Sequence, residues 1–262
     1  MDILLNVSNS AKVIEEITIS GSKSESNRLL ILQQLFPEIS IENLSDSDDS
    51  IHLQHALSTK DSLIDIGHAG TAMRFLVGYF ASKQNCEVVL TGSERMQQRP
   101  IGILVEALRD LGADISYEAK EGYPPVRIKG KAITKDKVQI KGNVSSQYIS
   151  SLILMGTHLA NGVAIELIGE ITSIPYIEMT LSLLNQLGIA THFEGNTIKV
   201  LPVKQLQKQT VVVESDWSSA SYFYGVAAFS KVGSEIQLSA YKKESLQGDS
   251  CLAEIYTHFG VE

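Results

Sequence analysis

The strongest chemical signal in the sequence is a polar stretch, residues 20–28 (SGSKSESNR), which follows the predicted strand EEITI and begins the predicted helix NRLLILQQLF. Free backbone N–H groups at a helix N-terminus attract anions, and the charges of Lys23 and Arg28 add to that attraction. A serine-rich helix cap would also explain the hydroxyls, although a cap does not require flanking cations. Taken alone, the stretch leaves an anion site and a structural cap equally open.

Four further stretches place polar or cationic groups where predicted helices begin. Residues 65–74 (DIGHAGTAMR) contain a glycine-rich turn that lets a phosphate or carboxylate approach the backbone. Arg99 directly precedes Pro100, which we expect at the first position of a helix, and an arginine there can bind an anion through two N–H groups. A solvated surface arginine is the alternative at this position. The remaining stretches, residues 143–147 and 173–176, supply hydroxyls at helix starts.

The elements that must position these stretches recur along the chain. A unit from Gly70 contains a helix, a strand, a second helix and a hairpin, and a unit from Gly142 repeats that order roughly 75 residues later. A shorter version covers residues 20–66, and a third copy begins near Asp216 and breaks off at Glu262. The pattern of each unit predicts strands and helices in the order βαβαββ. If the units pack around a pseudo-threefold axis, their helix N-termini converge and favour a ligand with more than one anionic group.

The composition and charge of the sequence limit the kinds of partner that the protein is expected to bind. The net charge of −8 argues against nucleic acid and anionic membranes, but a local cluster of cations can still bind a small anion. The longest charge-free stretch, residues 142–165, predicts a buried helix and a strand rather than a membrane span. The first residues include an early Asp2 and show no basic segment or small-residue cleavage site, so we expect no secretory signal, and Cys86 and Cys251 follow no zinc or CxxC spacing. We therefore expect a cytoplasmic protein with reduced thiols and no metal site.

Seven ordered motifs resemble the 3-phosphoshikimate 1-carboxyvinyltransferase (EPSP synthase) family: SGSKSESNR, GHAGTAMR, ERMQQRPIG, GNVSSQY, SIPY, SDWSSASYF and SLQGD. The resemblance covers residues 12–262. It implies an α+β fold, an inside-out α/β barrel (an α-β prism) built from six βαβαββ repeats in two domains. On that plan residues 20–214 form a complete three-repeat domain that binds shikimate 3-phosphate. Residues 1–19 and 215–262 form part of a second domain, truncated within its first repeat.

The resemblance also implies a reaction and the residues that serve it. The family transfers the enolpyruvyl group of phosphoenolpyruvate to the 5-hydroxyl of shikimate 3-phosphate, releases phosphate, and uses no metal or organic cofactor. Lys23 is the expected catalytic residue, between both substrates. The expected shikimate 3-phosphate ligands are Lys23, Ser24, Arg28, Ser145, Ser146, Gln147, Ser173 and Tyr176. The expected phosphoenolpyruvate ligands are Lys23, His68, Gly70, Arg99 and Gln147.

The sequence departs from the family pattern at two positions. His68 stands where an asparagine is common, and its imidazole either replaces the amide or, when protonated, adds positive charge. Phe75 stands where a proline often follows the arginine, on the apolar face of the helix, and bears on glyphosate sensitivity through Thr71. By resemblance, the base for the 5-hydroxyl and the residues that close over phosphoenolpyruvate belong to later repeats. We therefore expect this chain to bind substrate without turnover on its own.

Two other functions remain open at this point. The related UDP-N-acetylglucosamine enolpyruvyl transferase is expected to have an Ala-Lys-Asn start and a loop cysteine, whereas this chain has Ser-Lys-Ser and no cysteine near Arg95. A non-catalytic anion-binding paralogue would keep the same ligand residues. The full-length enzyme is expected to be a monomer. For this chain we expect self-association through residues 215–262, because an incomplete last unit exposes apolar surface and strand edges.

Overall fold

The structure is a computed structural model that describes residues 14–262. These residues form both helices and strands. The expectation for residues 1–13 lies outside the described residues. The helices are α1 (Lys23–Leu35), α2 (Asp48–Ser58), α3 (Gly70–Ser82), α4 (Glu94–Gln97), α5 (Gly102–Leu111), α6 (Ser146–Gly156), α7 (Ile174–Gln186), α8 (Trp217–Phe229) and α9 (Leu252–Thr257), with a 3-10 helix at Gly248–Cys251. The strands are β1 (Ile14–Ile17), β2 (Ile39–Glu42), β3 (Leu63–Asp65), β4 (Cys86–Thr91), β5 (Asp114–Tyr117), β6 (Val126–Gly130), β7 (Lys137–Lys141), β8 (Val163–Ile168), β9 (Thr191–Glu194), β10 (Thr197–Val200), β11 (Gln209–Val212) and β12 (Glu235–Leu238).

Two four-stranded sheets share one strand order. The first sheet has the order β3-β4-β6-β5 and the second has the order β7-β8-β10-β9. In each sheet the first two strands are parallel and are connected through a helix, α3 or α6, while the last two form an antiparallel hairpin. The two copies that the sequence predicts therefore have the same βαβαββ order, and each parallel pair is joined by the helical crossover that such pairs need.

The predicted starting points of these copies, Gly70 and Gly142, were wrong. A parallel strand precedes each polar helix start: β3 pairs with β4, with Leu63 opposite Val89, and β7 pairs with β8 in the same way. The pairing partner lies beyond the intervening helix, so local sequence does not reveal that these short strands belong to the following unit. The shorter version consequently ends before β3, and its strand β2 pairs instead with the distant β11.

Three helices form the centre of the larger apolar cluster. Helices α1, α3 and α6 pack against one another, and each is the first helix of its unit. Every residue of α3 is buried, and so is every residue of α6 except Gln147. A helix that is apolar on all sides is stable only when neighbours surround it. The charge-free stretch therefore forms a buried helix and a strand, as predicted. No helix within residues 14–262 is long and apolar enough to cross a membrane.

A second, smaller apolar cluster lies beyond the first. It contains Ile19, Trp217, Ala220 and Leu252, next to the parallel pair β1–β12. The chain passes between the clusters twice, and the two passages run side by side. At this crossing the Ser22 N–H donates to the Glu214 carbonyl at 2.8 Å, and the Asp216 N–H donates to the Ser20 carbonyl at 3.1 Å.

The contact between α3 and α6 depends on Gly78. A Cβ added there would collide with Ser151 Oγ and lie 3.3 Å from the Ser151 carbonyl oxygen. We expect Gly78→Ala to lower the free energy of unfolding by about 1–3 kcal/mol, because two packed helix backbones must separate. Urea unfolding followed by circular dichroism measures the change.

Gly225→Ala in α8 is the matched control. A Cβ at this mid-helix glycine meets only Tyr256 Oη, at 3.7 Å. Alanine is favoured over glycine in a helix by about 1 kcal/mol, so this variant should be as stable as wild type or more so. A Gly78→Ala protein with undiminished stability would contradict the close packing of α3 and α6.

Candidate functional site

The polar stretch of residues 20–28 forms the N-terminus of α1. Lys23 is the first helical residue, and its exposed side chain has no ion-pair or hydrogen-bond partner among residues 14–262. Ser22 occupies the N-cap position without a side-chain capping bond, so the hydroxyls do not serve simply as a cap. The backbone N–H groups of the first turn and the Lys23 ammonium group are therefore available to a ligand.

Arg28 lies one turn below Ser24, in the interior. Its Nη1 donates to the Ser24 carbonyl at 2.7 Å, and its Nη2 donates to the Tyr176 carbonyl at 3.2 Å. Its Nε donates to Thr180 Oγ1 at 2.7 Å, and Nη2 also donates to Ser150 Oγ at 3.2 Å. These bonds join the N-terminal turns of α1 and α7 to α6. Burial lowers the pKa of Arg28 to about 10.

Gly70 and Arg99, both expected at phosphoenolpyruvate, lie together. A Cβ on Gly70 would collide with the Arg99 guanidinium group, whose Cζ would be only 2.8 Å away. Arg99 is exposed, and its side chain has no hydrogen-bond or ion-pair partner in the described part of the chain. Glycine at this helix start therefore creates the space that the guanidinium group occupies, and the positive charge of Arg99 faces solvent. The next N–H group along the helix, that of Thr71, donates to Asp49 Oδ1 at 3.3 Å.

The expected position of Pro100 at the first residue of a helix was wrong. Helix α5 begins at Gly102, with Ile101 as its N-cap. The Pro100 carbonyl is held by side chains of other elements: it accepts from Arg74 Nη2 at 3.2 Å and from Tyr148 Oη at 2.6 Å. These bonds hold Pro100 outside the helix, because its carbonyl points towards α3 and α6 instead of along the axis of α5.

Helix α6 contributes the third predicted group. Ser145 is its N-cap and accepts from the Gln147 N–H at 3.4 Å, and Ser146 is almost fully buried. The Gln147 side chain donates to Thr71 Oγ1 at 3.1 Å. Gln147 thereby connects the start of α6 to the start of α3, which carries Gly70.

Ser173 and Tyr176 form the start of α7. Ser173 has φ 56° and ψ 34°, a left-handed conformation that is uncommon for residues other than glycine and tends to occur at functional sites. The Tyr176 ring is about half exposed, while its carbonyl accepts from Arg28. Within residues 14–262, the side chains of Lys23 and Ser173 form no hydrogen bond with another predicted site residue.

His68 lies in the turn before α3. Its Nδ1 is 2.7 Å from Ser93 Oγ, which also accepts from the Met96 N–H at 3.3 Å. When the Ser93 hydroxyl donates to Nδ1, the neutral ring carries its proton on Nε2. Phe75 is buried as expected, with its ring centroid 5.6 Å from Arg28 Cζ.

The charge balance of the site is unusual. Arg28 and Arg74 are 2% and 4% exposed, and neither forms an ion pair with a carboxylate within residues 14–262, although the charge of Glu25 acts on Arg28 and that of Asp49 acts on Arg74. Burial, followed by the charge of Arg99, lowers the pKa of Arg74. Buried cations are costly unless paired, so two of them beside the exposed Lys23 and Arg99 indicate a site built for an anion. Residues 14–262 contain no group of three or more metal-ligating side chains.

Several residues that shape the site were missed at first. They lie one helical turn after a predicted residue: Arg74 follows Gly70, Ser150 follows Ser146, and Thr180 follows Tyr176. Residues four apart share a helix face, and that spacing is the signal that could have identified them. Tyr148 has no such relation to a predicted residue.

A buried ionic group lies where the chain crosses between the two clusters. The Glu25 carboxylate is fully buried, with Oε2 3.5 Å from Lys242 Nζ and Oε1 accepting from Gln247 Nε2 at 3.4 Å. Glu214 is also buried, and it accepts from Trp217 Nε1 at 2.8 Å. Burial raises the pKa of Glu25, Lys242 opposes this rise, and Glu214 adds to it.

Fold and site together define a mixed α and β protein with polar helix N-termini and arginines arranged for an anionic ligand. The sequence profile of the family EPSP synthase (3-phosphoshikimate 1-carboxyvinyltransferase) matches residues 52–262. The chain belongs to this family, so the resemblance that the motifs indicated is confirmed.

Curated relatives and solved structures agree with this assignment. A 3-phosphoshikimate 1-carboxyvinyltransferase of Bacteroides fragilis is 45% identical over 246 residues, which are 94% of this chain and 60% of that protein. One of Mannheimia haemolytica is 35% identical, over 96% of this chain and 65% of that protein. The chain thus spans less than two thirds of the length of these relatives. An EPSP synthase structure from Acinetobacter baumannii shows the same fold, with a TM-score of 0.72 at 22% identity, covering 89% of this chain and 57% of that one.

Glu25 should make stability depend on pH. Its pKa is raised in the folded state from an ordinary value of 4.5. Above pH 4.5 the unfolded chain loses this proton while the folded protein keeps it, so rising pH lowers the free energy of unfolding across that window. We expect Glu25→Gln to gain stability relative to wild type as the pH rises from 4.5, measured by urea unfolding at several pH values.

The control is Glu170→Gln, which changes an exposed carboxylate in a loop. Its stability should follow that of wild type at each pH. If the free energy of unfolding changed with pH in the same way for wild type and Glu25→Gln, Glu25 would be ionised equally in the folded and unfolded states.

Proposed function

We propose that this chain supplies the shikimate 3-phosphate-binding part of an EPSP synthase, which transfers the enolpyruvyl group of phosphoenolpyruvate to the 5-hydroxyl of shikimate 3-phosphate. The observation that carries the proposal is the pair of buried arginines, Arg28 and Arg74, that form no ion pair with a carboxylate within residues 14–262. Both lie one turn below a helix N-terminus, and two ligands that each carry a phosphate group would balance them.

Shikimate 3-phosphate is assigned to the starts of α1, α6 and α7. The bonds from Arg28 to Ser24 and Tyr176 support this assignment, because they hold two of those helix starts at one guanidinium group. Arg28 uses most of its N–H donors for hydrogen bonds to the protein, so in this arrangement it acts mainly through its buried positive charge. The proposed ligands are Lys23, Ser24, Arg28, Ser145, Ser146, Gln147, Ser173 and Tyr176.

Phosphoenolpyruvate is assigned to the start of α3. The open Arg99 guanidinium group over Gly70 and the Gln147–Thr71 bond support this assignment. His68 lies in the preceding turn, where Ser93 fixes its ring. The proposed ligands are Lys23, His68, Gly70, Arg99 and Gln147. Lys23 is the proposed catalytic residue, because an exposed ammonium group at a helix N-terminus can stabilise negative charge on both substrates.

In the proposed reaction, a new C–O bond joins the 5-hydroxyl oxygen to phosphoenolpyruvate, and the tetrahedral adduct then eliminates phosphate. The residues of this chain bind and orient both anions and neutralise the charge of the departing phosphate. The base for the 5-hydroxyl is expected from residues outside this sequence. For the 262-residue chain itself we therefore propose binding without turnover.

The finer architecture is also a proposal. We infer a three-repeat α-β prism over residues 20–214, with residues 1–19 and 215–262 in a second domain. The two sheets of equal strand order, the packing of α1 with α3 and α6, and the separate smaller apolar cluster support it. We propose a cytoplasmic location, which the free thiols of Cys86 and Cys251 support.

Calorimetric titration with shikimate 3-phosphate, without phosphoenolpyruvate, tests the function. We expect saturable binding that weakens about 10-fold in Lys23→Ala, because a charge-assisted contact to phosphate is lost. Lys23 is exposed, so its removal leaves the fold intact, whereas removal of the buried Arg28 would also disturb α1, α6 and α7.

Lys60→Ala is the matched control, since Lys60 is an exposed lysine in the loop after α2. Its affinity should equal that of wild type. A folded wild-type protein that binds no shikimate 3-phosphate, or an equal loss in both variants, would overturn the proposed site.

We also propose that this chain self-associates through residues 215–262, at the apolar side chains of α8 and of the loop that follows it. Tyr222, Phe229 and Val232 are 77%, 88% and 100% exposed, a density of apolar side chains that favours association. Light scattering should show the mass rising with concentration, and the double variant Phe229→Ser/Val232→Ser should remain at the monomer mass.

A control with Ile51→Ser and Leu63→Ser alters two exposed apolar residues elsewhere in the chain and should associate as wild type does. A wild-type chain that stays monomeric at high concentration contradicts the proposed association.

A further inference from the structure

We infer that Tyr148, together with Arg74, is a positioning residue that holds Arg99 over Gly70. The inference rests on the proposed function, since it concerns Arg99, a residue assigned to phosphoenolpyruvate. Neither positioning side chain belongs to the proposed ligand set. Both act on the peptide carbonyl of Pro100, the residue directly after Arg99.

The Pro100 carbonyl is held from two helices at once. Tyr148 Oη, on α6, donates to it at 2.6 Å, and Arg74 Nη2, on α3, donates at 3.2 Å. Tyr148 is 6% exposed and Arg74 is 4% exposed, so both donors reach this carbonyl from the interior, whereas Pro100 itself lies at the surface. A proline has no N–H group, so its carbonyl is the one polar backbone group through which this residue can be fixed.

Arg74 also restrains Gly70, the other residue of the proposed phosphoenolpyruvate site that adjoins Arg99. Arg74 Nη1 donates to the Gly70 carbonyl at 3.0 Å. One guanidinium group therefore sets the distance between the backbone of Gly70 and the backbone that follows Arg99. The Gly70 backbone borders the space that the Arg99 guanidinium group occupies.

Within residues 14–262, the hydrogen bonds that restrain Arg99 involve backbone groups and not its side chain. Its N–H donates to the Met96 carbonyl at 3.0 Å, and beyond Pro100 the Ile101 N–H donates to the Gly122 carbonyl at 2.9 Å. The Arg99 side chain has no hydrogen-bond partner among residues 14–262, so its donors remain for a ligand. The location of those donors depends on the backbone, and the Tyr148 bond is the shortest restraint on it.

Tyr148→Phe tests the inference, because it removes the hydroxyl and keeps the buried ring. We expect the dissociation constant for phosphoenolpyruvate to rise about 5–10-fold, the usual effect of losing one hydrogen bond. Binding of shikimate 3-phosphate alone should stay within about 2-fold of wild type, because the loss affects a single loop. Calorimetry with each ligand separately gives both constants.

The matched control is Tyr79→Phe. Tyr79 is 5% exposed on the far end of α3, and its ring packs against Phe80. This variant loses a hydroxyl from an equally buried ring and should bind both ligands as wild type does. Equal weakening in both variants would show a general effect on stability and overturn the role of Tyr148.

A second measurement does not require a ligand. Amide hydrogen exchange in a peptide covering residues 95–102 should become faster in Tyr148→Phe and remain unchanged in Tyr79→Phe, because the loop loses its shortest restraint. Unchanged exchange in Tyr148→Phe overturns the inference. Binding of shikimate 3-phosphate without any phosphoenolpyruvate binding in wild type would instead remove the proposed phosphoenolpyruvate site, and the exchange rates would still decide the role of Tyr148.

Discussion

The arrangement of the helices around the site depends on the Arg28 guanidinium group. The side chain belongs to α1, and its guanidinium group lies over the Phe75 ring of α3. The group donates hydrogen bonds to Ser150 of α6 and to Thr180 and the Tyr176 carbonyl of α7. Each acceptor is uncharged. The group can therefore hold four helices together without an ion pair to a carboxylate among residues 14–262, and its positive charge lies directly behind the helix N-termini. Structural support and anion attraction come from the same atoms.

Local patterns in the sequence predicted much of this arrangement. Helix starts rich in serine and glycine, apolar helices and hairpin turns are encoded within a few residues, so most helices and strands could be predicted, including the helix starts that carry the proposed ligand residues. The short parallel strands β3 and β11 were misplaced or missed because their partners lie far along the chain. Pro100 was misplaced for a similar reason, since Arg74 and Tyr148 reach its carbonyl from other units.

The side chains that support the site form a level of organisation that motifs do not display. Thr180, Ser150 and Arg74 are ordinary residues in their own helices, and their function comes from what faces them across the helix contacts. Their spacing of one turn from a predicted ligand could have indicated them. Tyr148 could not be found this way, because its role depends on the path of a loop in the preceding unit.

The side-by-side passage of the chain at Ser22 and Glu214 has a topological consequence. The two ends of the intervening segment are in hydrogen-bond contact, so this segment enters and leaves the rest of the molecule at one point. A segment with adjacent ends can be closed into a ring by a short linker with little loss of loop entropy. New termini could then be opened in an exposed turn such as the one before Gly122, which makes the segment between Ser22 and Glu214 suited to circular permutation.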